Sequence, residues 1–133
     1  MGVLLTCSPA FADTHDDVVD LFASIAAGLS NDNAAQVMSG FDNKMPDYDT
    51  LKTEISALLL SSVVSTSIEP LKDEGDEMKR SVDLDWFLEL KSREPDGPIT
   101  RRREIVHCEL EKIKNKWRIV AISPVSFFDV SKP

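Results

Sequence analysis

MKRSVDLDWFLELK (residues 78–91) alternates almost without a break. Met78, Val82, Leu84, Trp86, Leu88 and Leu90 share one parity. Lys79, Ser81, Asp83, Asp85, Glu89 and Lys91 share the other, interrupted by Phe87. Successive side chains of an extended strand point to opposite faces, so the stretch reads as a strand with one face buried. The other face is wet or covered by a partner. Glu94-Pro95-Asp96-Gly97-Pro98 is turn chemistry, and residues 99–113 read as the returning strand, with Val106, Cys108 and Leu110 on its apolar side.

The same period extends outward. Val63 to Leu71 is β-branched and ends in the turn Asp73-Glu74-Gly75-Asp76. Asn115 supplies a left-handed turn residue before a last strand, Trp117 to Ser123, which Pro124 stops. Ser126-Phe127-Phe128 is expected to dock on the sheet. Upstream of Ser62 the period becomes helical. Val18, Val19, Phe22, Ile25, Ala26 and Leu29 predict an amphipathic helix over 14–29, capped by Asp13 or Thr14. Residues 34–39 predict a short second helix, closed by Gly40. Asp47 is expected to cap a third, through Tyr48, Leu51, Ile55, Leu58 and Leu59. Three helices followed by four strands on short turns is an α+β arrangement, with the helices on one face of an antiparallel sheet.

Composition narrows the partners. The 133 residues suffice for one domain that needs no metal or disulfide to fold. Net charge is −8, from 23 acidic and 15 basic residues, which argues against a nucleic-acid partner. The basic run Arg101-Arg102-Arg103 alternates between faces and forms no patch. No apolar run is long enough for a membrane span. Cys7, Cys108, His15 and His107 have no metal-ligand spacing, so neither metal nor cofactor is expected.

Residues 1–12 carry no charged side chain, whereas Asp13-Thr14-His15-Asp16-Asp17 is abruptly acidic. Ala10-Phe11-Ala12 fits the small-x-small pattern of signal-peptidase cleavage. We read residues 1–12 as the remnant of an export signal and 13–133 as the mature domain, periplasmic or secreted. A lipoprotein anchored through Cys7 is second, and a cytoplasmic protein with a native apolar N-terminus is third.

The segments FDNKMPDYDTLKTEISALLL (41–60), SSVVSTSIEPL (61–71), KRSVDLDWFLEL (79–90) and RREIVHCELEKIKNKWRIVAISPVSFF (102–128) together resemble a nuclear transport factor 2-like domain. The resemblance spans about residues 13–128. It implies a cystatin-like, cone-shaped fold in which a strongly curved sheet wraps the helices around an apolar pocket. It also implies homodimers through the outer sheet face. It carries over no activity and no catalytic residue, because this fold hosts enzymes, binding modules and dimerisation domains alike.

Ketosteroid-isomerase-like chemistry needs a carboxylate base and neutral donors for an enolate. The chain has a single tyrosine, Tyr48, and no carboxylate falls clearly on the apolar face of the central strands. If the cone holds a small apolar ligand, the expected contacts are Tyr48, Trp86, Cys108 and Trp117, each of which also reads as core. Met38, Met45 and Tyr48 would close the pocket mouth. On the polar face, strand pairing sets His107 across from Asp85, or from Asp83 in a register shifted by two. That Asp–His pair reads either as an acid–base dyad or as a surface ion pair, and the convexity of the face favours the ion pair. The reading is a dimerising, non-catalytic domain with a small-ligand pocket. The alternatives are a small isomerase or lyase using that pocket, or a structural domain whose cone is filled by its own side chains.

Overall fold

The computed structural model describes residues 9–131. The element order is helix α1 (Pro9–Ser30), helix α2 (Ala34–Met38), helix α3 (Tyr48–Ser61), then strands β1 (Ser62–Gly75), β2 (Lys79–Ser92), β3 (Ile99–Ile113) and β4 (Lys116–Ser123). A 3₁₀ turn over Val125–Phe128 closes the fold. The strands form one antiparallel meander in the order β1-β2-β3-β4, curved over the three helices. No helix among the described residues is long and apolar enough to cross a membrane.

Helix α1 buries Val18, Phe22, Ile25 and Leu29, one stripe at helical spacing. It begins at Pro9, five residues before the expected start, so the stretch around Asp13 and Thr14 lies within the helix and does not cap it. Proline is well placed in a first helical turn, where its missing N–H has no intrahelical partner to lose. At Gly28 a Cβ would come within 2.8 Å of Val37, so the glycine lets α2 pack closely on α1. Asn33 caps α2, its side-chain oxygen accepting from the Gln36 N–H at 3.0 Å. Asp47 stands before α3 in a left-handed conformation (φ 65°) and makes no side-chain cap bond. Its expected capping role is therefore corrected to that of a turn residue, a conformation Asp tolerates.

The strands match the sequence period, with two local shifts. In β2 the residues Val82, Leu84, Trp86, Leu88 and Leu90 are buried at 0–3% exposure, but Met78 lies outside the strand and is 57% exposed. Arg80 takes the inner-face place instead. The β1/β2 register skips Leu71, between Pro70↔Leu84 and Lys72↔Asp83. An extra residue in one strand reverses the facing of everything beyond it. Asp73, on the side of the bulge away from Pro70, is thereby turned to meet Arg80. A second shift, between Glu109 and Leu110 of β3, leaves Val120 of β4 unpaired, so Trp117, Ile119 and Ile122 can all be buried. Lys114 and Asn115 both have positive φ (51° and 69°), as a two-residue hairpin turn requires. Phe127 and Phe128 dock as expected, at 0% and 1% exposure.

Candidate functional site

The interior of the curved sheet is where a ligand pocket is expected. Trp86 stands at its centre, fully buried. Phe22, Phe127 and Phe128 meet it edge-on, with ring centroids 6.3, 6.1 and 5.2 Å away. The indole N–H donates to Thr66 Oγ1 at 3.0 Å, and that hydroxyl donates to the Phe87 carbonyl at 2.7 Å. Cys108 is also fully enclosed, and burial raises its thiol pKa so that it stays protonated. Trp117 is 6% exposed, its buried Nε1 without a hydrogen-bond partner among the described residues. Glu104 is the register partner of Trp86, has the parity of Val106 and is half-buried. A carboxylate thus does occupy the inner parity of β3, contrary to the expectation from the sequence.

Tyr48 lies elsewhere. It lines a cleft of about 620 Å³ between α2, the 41–43 loop and α3. Met38, Phe41 and Ala34 form apolar wall, while Tyr48, Lys52 and Ser56 present one face of α3 to it. Those three are spaced four residues apart, beside the buried stripe of Leu51, Ile55 and Leu58, so the face was legible in the sequence. Arg118 of β4 is the strand residue in the lining, and its guanidinium donates to the Ser39 carbonyl. A parallel bridge fixes this corner: Ile119 N–H donates to Gly40 O at 2.8 Å and Asp42 N–H to Ile119 O at 2.9 Å. Met38 and Met45 are both buried, and Met38 lines the cleft. Of the four residues expected around a ligand, therefore, Tyr48 borders open volume, and Trp86, Cys108 and Trp117 are packed inside.

The outer sheet face carries the charges. Asp83, not Asp85, is the register partner of His107. Nδ1 of His107 is 2.6 Å from Asp83 Oδ1, and Nε2 contacts Glu109, which also accepts from Ser81 Oγ at 2.6 Å. With a carboxylate on each ring nitrogen, the imidazole pKa is raised, chiefly by the bond to Asp83 and then by that to Glu109. The Ser81 hydroxyl, followed by His107, lowers that of Glu109. Asp85 instead binds Arg103 in two-point fashion, at 2.9 and 2.6 Å. The dent beside His107 measures about 60 Å³, room for a water or two. Both ring nitrogens face carboxylates, an arrangement that forms an ion-pair cluster on the outer face.

No protein-family model matches the sequence, and no curated protein is significantly similar to it. Solved structures are similar in fold. A candidate scytalone dehydratase from Novosphingobium aromaticivorans superposes with a TM-score of 0.76 at 9% identity, covering 85% of this chain and 83% of that one. A nuclear transport factor 2-like superfamily protein from Salmonella enterica gives 0.70 at 9% identity, covering 84% and 89%. A protein of unknown function with a cystatin-like fold from Nostoc punctiforme gives 0.62 at 14% identity, covering 81% and 86%. At such identities the likeness speaks to architecture and leaves activity open. The chain has the nuclear transport factor 2-like fold, a curved four-stranded antiparallel sheet closed over three helices.

Proposed function

We propose that this is a non-catalytic, exported domain that dimerises through the outer face of its sheet and holds a small ligand in the cleft between α2 and α3. The observation that carries the dimer is an exposed apolar group set among ion pairs on the outer face. Ile105 of β3 is 56% exposed, and Phe87 of β2 is its diagonal neighbour across the strand pair. Around them lie the pairs Arg103–Asp85, Arg101–Glu89 and His107–Asp83. An apolar centre inside a polar rim is the anatomy of a protein interface. A rim holding both signs of charge can complement itself across a two-fold axis.

The ligand reading rests on where open volume is found. The centre of the cone is taken up by Trp86 and its three phenylalanines, whereas the α2/α3 cleft has the size and mixed lining of a small-molecule site. Export is supported by the composition step at Ala12–Asp13.

Light scattering at micromolar concentration tests the dimer. The wild-type chain is expected to give the mass of two chains, and Ile105→Glu, which buries a charge against its own copy, the mass of one. A wild-type monomer overturns the interface.

A further inference from the structure

The cleft between α2 and α3 is lined by apolar side chains and by two cations, in a protein whose net charge is −8. Its cations are Lys52, from the exposed face of α3, and Arg118, from the start of β4. The Lys52 ammonium has no ion-pair partner among the described residues. Arg118 spends one donor on the Ser39 carbonyl, which fixes the guanidinium at the cleft and leaves other N–H groups to bond. The carboxylate in the lining is Asp42, whose Oδ1 accepts from the Lys44 N–H at 3.3 Å. Two cations thus line the cleft against one carboxylate. Tyr48 adds a phenol, and Met38 and Phe41 supply the apolar wall.

We propose that the cleft binds a small organic acid, its carboxylate held by Arg118 and Lys52 and its apolar body laid against Met38 and Phe41. The proposal rests on the reading of this cleft as the ligand site and names the ligand's chemistry. A planar guanidinium offers paired N–H groups to a carboxylate, and an unpaired lysine adds a second charge at little desolvation cost. Neutral apolar molecules would use the wall and leave both cations idle.

Isothermal titration calorimetry of the full chain with 2-naphthoate and with the uncharged 2-naphthalenemethanol tests this. Naphthoate is expected to bind about tenfold more tightly than the alcohol. Lys52→Met and Arg118→Gln should each remove most of that advantage without affecting the alcohol. Lys91→Gln, on the outer face, should leave both ligands unchanged. Equal binding of acid and alcohol would overturn the acid chemistry while leaving a ligand site in place. Binding of neither at millimolar concentration would remove both.

Discussion

His107 illustrates how a single ring reports its surroundings. It lies between Asp83 and Glu109, and both contacts favour the imidazolium, so its folded-state pKa stands above the ordinary value of 6.5. The sign of the linkage follows. The charged ring stabilises the fold fully below the unfolded pKa, and that contribution is lost as pH rises through the raised folded value. The ring is about half exposed, so the effect is small. NMR titration should place the His107 midpoint above that of an unperturbed histidine, and Asp83→Asn should bring it down. A midpoint at or below the unperturbed value would contradict the pair. Thermal unfolding of His107→Gln should differ most from wild type near pH 5–6 and converge with it in mild alkali.

At the scale of elements, the ends of α1, β1 and β2 are tied by a cluster that strand alternation alone does not reveal. Arg80 and Asp73 are both buried, at 8% and 7% side-chain exposure, with Nε to Oδ1 at 2.5 Å. The guanidinium also donates to the Asp76 carbonyl at 3.1 Å. The other Asp73 oxygen lies 2.6 Å from Nδ1 of His15, which belongs to the N-terminal part of α1. Removing one member of such a pair strands a buried charge. Asp73→Ala is expected to cost about 3–5 kcal/mol in urea unfolding. The double change Asp73→Leu with Arg80→Met should recover most of that loss, since two apolar groups need no partner. His15 is half exposed, so His15→Ala should cost under about 1 kcal/mol. If Asp73→Ala costs no more than His15→Ala, the pair does not support the sheet.

For the molecule as a whole, the cone is filled at Trp86. Its ring touches a helix residue, Phe22, and two residues after the last strand, Phe127 and Phe128, so it links α1 to the closing 3₁₀ turn through β2. Arg102 reinforces the closure by donating to the Phe127 carbonyl at 2.9 Å. Trp86→Ala should destabilise by about 3–5 kcal/mol, the usual cost of emptying an aromatic core site. Trp86→Phe should cost less, keeping most of the packing while freeing the Thr66 hydroxyl. Both are read from denaturant midpoints. Near-equal stability of Trp86→Ala and wild type would mean that the cone is not the core.

Much of this was legible in the chain itself. The alternation in residues 78–91, the turn residues at 94–98 and 114–115 and the helical stripes before Ser62 determined the α+β order, because periods of 2 and 3.6 follow from backbone geometry. The burial of Cys108 and the polar partnership of His107 followed from parity. What the tertiary structure decided lies where parity is broken or where distant segments meet. The bulge at Leu71 turned Asp73 inward to Arg80, and one inserted residue is invisible to a periodic reading. Register chose Asp83 over Asp85 as the partner of His107, because strand pairing depends on the turn closed between Lys91 and Ile99. The cleft unites Tyr48 and Lys52 with Arg118, 66 positions beyond Lys52, and only packing of β4 beside α2 and α3 brings them together.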